Sequence, residues 1–181
     1  SARFDVALPT QTPGTDDLAW LTRVNAVLAP QVDDLLARLA ALPGAESVAL
    51  SDVLPASGEG GWNGGLEIEG HPVADDALVD FHFVSPDYFR TFGIALKAGR
   101  VLDISDGKGA AVPGVGVVNQ AFVDRYLGGG DALGAQVHAY DGSAKTIVGV
   151  VGNVRQLGPD EPERPEIYCP IRNAPIGNLA L

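Results

Sequence analysis

At 181 residues, 46% hydrophobic and 19% charged, the chain has the composition of a folded domain and not of a disordered segment. Its formal net charge of −11 repels phosphate backbones and anionic lipid headgroups, which argues against a nucleic-acid partner. A single cysteine, Cys169, excludes an internal disulfide; between Tyr168 and Pro170 it reads as a structural thiol near a strand end. No window approaches the roughly 20 apolar residues that cross a bilayer, and the first residues do not read as a signal peptide. The chain has no methionine, even at position 1, so it reads as an excised domain whose flanks carry any membrane segments.

Along the chain, Phe4, Val6 and Leu8 alternate with polar residues and predict a strand stopped by Pro9. Residues 10–15 are a turn-rich linker. Thr15 or Asp16 caps a helical pattern that runs to Leu42, with Pro30 expected to kink or split it. In its second part Val32, Leu35, Leu36 and Leu39 form one apolar stripe, and Asp33 and Asp34 suit the positive end of a helix starting there. Pro43-Gly44 ends it. Ser47–Leu54 predicts a second strand, which gives a β-α-β unit.

Ala56–Gly65 is glycine-rich and predicts a loop. Leu66 and Ile68 alternate with Glu67 and Glu69, and Val79, Phe81 and Phe83 alternate with Asp80 and His82, two half-exposed strands. Ser85-Pro86-Asp87 reads as a compact helix start, with the helix ending at Gly93. Ile94–Leu96 predicts a short strand and 99–113 a loop. Val115, Val117 and Val118 predict a buried strand, and Asn119 caps a helix stopped by Gly128-Gly129-Gly130. Gln136–Tyr140, an Asp141-Gly142 turn and Lys145–Val154 predict a hairpin, whose second strand is apolar enough to be central. Glu166–Ile171 is the last strand.

Candidate chemistry is sparse. No two of His71, His82 and His138 lie within five residues of each other, so a zinc site would have to assemble in space; each reads as solvent-facing. The pairs Asp16/Asp17 and Asp33/Asp34 are explained by helix starts, and Asp75/Asp76 lies in a loop. Nothing marks a carboxylate pair for acid–base work. Asp103 and Asp106 lack the spacing of a calcium loop. Gly58–Gly65 lacks the Gly-Lys-Ser/Thr end of a phosphate loop, and Gly114-Val-Gly-Val-Val-Asn119 is half a dinucleotide fingerprint that enters a strand. Ser105-Asp-Gly-Lys108 has an acyl-enzyme spacing without the companion motifs and reads as a turn. Trp62, among glycines, is either an exposed binding anchor or a ring folded back over the core.

Six motifs follow one another in order: Leu42-Pro-Gly44 after the long helix; Val84-Ser-Pro-Asp-Tyr-Phe89, with Gly93-Ile94 and Gly99-Arg100; Val117-Val-Asn-Gln-Ala-Phe122, with Arg125-Tyr126; Leu133-Gly-Ala-Gln-Val137; Ile147-Val-Gly-Val-Val-Gly-Asn-Val-Arg155; and Glu161-Pro-Glu-Arg-Pro-Glu-Ile-Tyr168. The series resembles the MacB-like periplasmic core domain of MacB/FtsX-type ABC-transporter permeases, especially the acidobacterial duplicated type, over nearly the whole chain.

That resemblance implies an α+β fold with mixed sheets. A porter-like β-α-β lobe would take about 1–56 and 145–181, and a small β-rich lobe of the Sabre kind about 57–144, all within one extracytoplasmic domain 1–181. It implies a non-catalytic domain outside the membrane that couples ATP-driven motion to export, efflux or handling of substrate. No cofactor and no catalytic residue are carried over. The implied partners are the membrane-embedded remainder of the permease, a second permease copy, a cytoplasmic ATPase acting indirectly, and in some systems a periplasmic adaptor. Ser85, Pro86 and Asp87 are expected to cap a helix, Gly99 and Arg100 to shape a turn with Arg100 paired to an acid, and Gly149 and Gly152 to permit close backbone approach. The rival classes are a secreted or periplasmic small-ligand-binding module that closes through Trp62, and a hydrolase using scattered acids such as Asp103 or Asp106.

Overall fold

A computed structural model describes residues 3–5, 10, 17–58, 62–107, 114–138, 143–156, 158, 160–174 and 178–180. The linker 11–16 with its caps, the strand ends 6–9, Lys108 and the Asp141-Gly142 turn lie outside them. The described chain is α+β. One long helix, α1 (Asp17–Ala40), and two short ones, α2 (Tyr88–Thr91) and α3 (Gln120–Tyr126), accompany a mixed sheet. The sheet strands are β2 (Trp62–Gly65), β3 (Glu67–Ile68), β4 (Leu78–Val84), β5 (Leu96–Gly99), β6 (Gly114–Asn119), β7 (Gln136–His138), β8 (Ala144–Val151) and β9 (Glu166–Pro170). Their order is β2-β4-β9-β6-β8-β7-β3, with β5 also on β8.

The first and last strands of that order are neighbours in the chain. β2 ends at Gly65 and β3 begins at Glu67, so one bent segment pairs with β4 on one side and with β7 on the other. The sheet is thereby nearly closed, which leaves little open edge to aggregate. Gly65 and the buried Leu66 sit at the bend. β9 runs parallel to β4 and antiparallel to β6, and β6 runs parallel to β8. β8 is central as its apolar run predicts: β6 lies on one side, and β7 and β5 follow each other along the other. Outside this sheet, β1 (Arg3–Asp5) and β10 (Asn178–Ala180) pair antiparallel in a two-stranded ribbon.

Apolar residues fill both faces of the sheet. On one, Phe81, Phe83, Val118, Ile147, Ile167 and Cys169 pack with Val32 of α1 and with Phe122 and Val123 of α3. On the other, Val84, Val117, Val151 and Tyr168 pack with Tyr88, Phe89 and Leu102. Burial on both sides explains why β4 is not the half-exposed strand its alternation predicts. Every residue from Val79 to Val84 is buried, Asp80 and His82 included.

Three further expectations are corrected. Of the two outcomes expected at Pro30, a kink or a split, the split does not occur, for α1 continues unbroken to Ala40. Pro30 is exposed, so the Ala26 carbonyl that loses its amide partner can turn to water. Asp33 therefore lies inside a helix and not at a helix start; its carboxylate accepts a hydrogen bond from Arg172, in the 3₁₀ turn Ile171–Asn173. Second, Ser47–Leu54 forms no strand and meets β4 through the single bridge Ser51↔Val84. Third, the end of the glycine-rich 56–65 stretch is strand β2.

Candidate functional site

The Ser85-Pro86-Asp87 turn connects β4 to α2 and lies on a groove of about 610 Å³. One wall is the later half of α1, with Asp33, Leu36, Ala37 and Ala40. The segment Ala45–Val48 forms another, and Pro86, Asp87, Arg90, Ile104 and Arg172 complete the lining. Small alanines on α1 keep the groove open, while Ile104 is half exposed at its rim. Both arginines are already paired. Arg90 holds Asp87 through two bonds of 3.1 and 3.2 Å and also reaches the Glu46 carbonyl at 3.4 Å, and Arg172 holds Asp33. Those bonds tie the α2 turn to the 45–48 segment and the Arg172 turn to α1, and the lining as a whole carries three acids, Asp33, Glu46 and Asp87, against two arginines.

Ser85 does not cap α2 as its sequence context predicts. The cap position is Asp87, which makes no side-chain cap bond. The buried Ser85 hydroxyl instead accepts from the Leu50 amide at 2.9 Å, and the Ser85 amide donates to the Leu50 carbonyl at 2.9 Å. Asp52 extends this seam: its amide donates to the Phe83 carbonyl, and its Oδ1 accepts from the Phe83 and Val53 amides at 3.1 and 2.9 Å. The motif's serine thus staples the 47–54 segment, whose first residues Ser47 and Val48 line the groove, to the end of β4.

Beneath that seam lies a cluster that sequence reading missed. His82 is 1% exposed, against the solvent-facing expectation, and Glu166 is fully buried. His82 Nε2 stands 3.7 Å from Glu166 Oε1, an ion-pair distance too long for a hydrogen bond. Glu166 Oε2 accepts from the Tyr168 hydroxyl at 2.6 Å and from Asn119 Nδ2 at 3.0 Å. Both ring nitrogens of His82, Glu166 Oε1, Asp52 Oδ2 and the Tyr88 hydroxyl are buried without a hydrogen-bond partner among the described residues. Burial pushes Asp52 up to about 6, only partly offset by His82. Burial opposes a charged His82, but Glu166, Asp52 and Asp80 outweigh it and raise the imidazole pKa. Desolvation beside Glu166 raises Tyr168 and Tyr88 as well.

The remaining predicted residues disperse. Arg100 pairs with an acid as expected, bidentate to Asp106 at 2.7 and 3.1 Å. Asp106 also accepts from the Asp103 amide, and Asp103 accepts from Ser105, so both acids build the 100–107 loop. Gly99 faces Gly149 across β5 and β8. A Cβ on Gly99 would lie 2.2 Å from the Val148 carbonyl oxygen, and one on Gly149 would lie 2.0 Å from that of Arg100. Gly152 has no such need, since its nearest atom would be 3.8 Å away. Trp62 is 43% exposed at the start of β2 and does not line the groove. His71 and His138 both lie near Glu69, through its carbonyl and its carboxylate respectively. No group of three His, Cys, Asp or Glu among the described residues could hold a metal ion, and no described helix is long and apolar enough to cross a membrane.

No protein-family model matches the chain, and no curated protein matches it. Solved structures do. The periplasmic region of MacB from Actinobacillus actinomycetemcomitans superposes with a TM-score of 0.54 at 17% identity, covering 82% of this chain and 62% of that one. The extracellular domain of the noncanonic ABC-type transporter YknZ from Gram-positive bacteria gives a TM-score of 0.55 at 14% identity, covering 81% of this chain and 70% of that one. At such identities the likeness is one of fold. The chain has the fold of a MacB-like periplasmic domain, over less than two thirds of the MacB region's length.

Proposed function

We propose that this chain is a non-catalytic extracytoplasmic domain of an ABC-type permease, coupling motion driven by ATP hydrolysis on a separate subunit or domain to export or handling of substrate outside the membrane. The observation that carries the reading is the fold shared with two extracytoplasmic transporter domains. The pairing of β1 with β10 supports it, because the chain then enters and leaves at one place, as an insertion between two membrane segments requires. The groove fits the same role. Both of its arginines are held by acids, and its walls belong to a long helix and to a segment that runs on into the stapled Leu50 and Asp52. The implied partners are the membrane-embedded remainder, a second permease copy and the ATPase, with an adaptor docking outside.

The division into lobes, 1–56 with 145–181 and 57–144, belongs to the same proposal. Strands β4 and β6 of one lobe then share a sheet with β8 and β9 of the other. Limited proteolysis that releases a stable 57–144 fragment supports this division; cleavage that leaves no stable part opposes it.

The deciding experiment places a cysteine at exposed Trp62 in the full-length protein, in its own cells, and treats intact cells with a membrane-impermeant thiol reagent. The buried Cys169 stays unlabelled. Labelling without lysis, on protein that stays with carbonate-washed membranes, is the expected result. Labelling only after lysis, or a protein washed free of membranes, would sink the proposal.

A further inference from the structure

The buried cluster on the second face of the sheet has more acid and more orphaned polar atoms than a folded core keeps without a reason. Its members come from separate elements. His82 and Asp80 lie on β4, Glu166 and Tyr168 on β9, Tyr88 on α2, and Asp52 on the 47–54 segment. Arg164 stands 3.9 Å from Asp80 at the half-exposed margin. Around His82 itself, the nearby charges are the carboxylates of Glu166, Asp52 and Asp80. Two of these, Glu166 and Asp52, each bury an oxygen with no hydrogen-bond donor among the described residues. If His82 were neutral and Asp52 ionised, the buried carboxylates around the imidazole would have no buried cation beside them, an arrangement a protein interior does not sustain cheaply. The site therefore needs protons, on His82 and on Asp52, to be at rest.

We propose that the His82–Glu166–Asp52 cluster is a proton-dependent latch that holds the 47–54 segment, whose start at Ser47 and Val48 belongs to one wall of the groove, against the end of β4. The connection is direct. Asp52 anchors the segment through Phe83 and Val53, the next residue contact is Ser51 with Val84, and Leu50 is stapled to Ser85. Gln156 adds a bond to the Leu54 carbonyl at 3.0 Å, at the far end of the same segment. Loss of the His82 proton removes the cation that both Asp52 and Glu166 face and favours release of the segment, while the β6–β8 pair lies outside the latch. The inference concerns the fold alone and does not depend on the permease reading.

The sign follows from the direction of the shifts. His82 has a folded pKa raised above 6.5, so its contribution is complete below 6.5 and is lost as pH rises through the folded value. Asp52 is raised in the same sense, so its contribution is likewise lost with rising pH.

The test is carried out on the 181-residue chain by NMR. The His82 imidazole is titrated through its ring carbon shifts, and amide exchange is measured at about pH 5 and about pH 9 and corrected for intrinsic rates. The expected result is a His82 midpoint above the ordinary imidazole value of about 6.5, with protection at Leu50, Asp52 and Ser85 falling by about tenfold or more relative to Val117 and Val150. Asp52→Asn keeps the Oδ1 acceptor and removes one charge. It should shrink that fall in protection. A His82 midpoint at or below about 6.5, or unchanged relative protection of the segment across the range, overturns the proposal. The wild-type measurements decide the matter even if the variant does not fold.

Discussion

At the scale of single residues, the two glycines that face each other across β5 and β8 differ sharply from their neighbour Gly152. Gly149 packs its Cα against the Arg100 carbonyl, where an added methyl would sit 2.0 Å from oxygen. Backbone must then move, in a strand bonded on both sides. Gly149→Ala should cost about 1–3 kcal/mol in chemical denaturation. Gly152→Ala meets nothing closer than 3.8 Å and should change stability by less than about 0.5 kcal/mol. Equal losses at the two positions would remove the close-approach explanation. Asp52 supplies a second residue-scale prediction. Its pKa rises from 3.8 to about 6 on folding, so the folded chain binds more protons between those values and stability falls as pH rises through them. Asp52→Asn should flatten the denaturation profile in that window by about 2 kcal/mol, discounted from the full shift for relaxation around the carboxyl. The sequence conceals this cluster for a simple reason. Alternation places Asp80 and His82 opposite Phe81, and a polar residue opposite an apolar one reads as solvent-facing unless the second face is known to be covered.

At the scale of elements, the helix α3 was readable because its cap is local. Asn119 Oδ1 accepts from the Phe122 amide at 2.9 Å, as a cap should. What the sequence could not show is that the same oxygen accepts from the Glu166 amide while Nδ2 donates to Arg164 and Glu166. One side chain thus closes a helix and joins it to β9. Asn119→Ala removes the cap and leaves several buried groups unpaired, so it should cost about 2–4 kcal/mol, more than a cap alone. A loss near 1 kcal/mol would show that the Glu166 link contributes nothing. The misread elements are those decided by distant contacts. Ser47–Leu54 has strand-like residues, but only Ser51 bridges to β4, because the Leu50 and Val53 amides go to the side chains of Ser85, Ser51 and Asp52 and interrupt the ladder. Pro30 is a strong local breaker overruled by the packing of Val32, Leu35 and Leu36 on the core. Since α1 tolerates it at an exposed position, Pro30→Ala should restore one amide donor and stabilise the chain by about 1–3 kcal/mol, measurable in the denaturation midpoint.

At the scale of the whole molecule, the motif series was legible because each motif fixes local backbone, and its order along the chain carries the fold. Sheet closure was not, since it depends on Gly65 and Leu66 bending one segment between β4 and β7, two partners far apart in sequence. Nor was the terminal ribbon, in which Arg3 faces Ala180 and Phe4 faces Leu179. That ribbon brings residues 3–5 and 178–180 side by side, the observation on which the proposed insertion geometry rests. Facing positions in an antiparallel pair place Cα atoms about 4.5–5.5 Å apart, within the range a disulfide spans. Arg3→Cys combined with Ala180→Cys should therefore oxidise within one chain under mild conditions, with buried Cys169 left reduced. The crosslink closes a loop of nearly the whole chain, so it should raise the unfolding midpoint and be reversed by reductant. If the two cysteines join only between molecules, or not at all, the ends do not leave side by side, and the insertion geometry that supports a permease domain loses its structural basis.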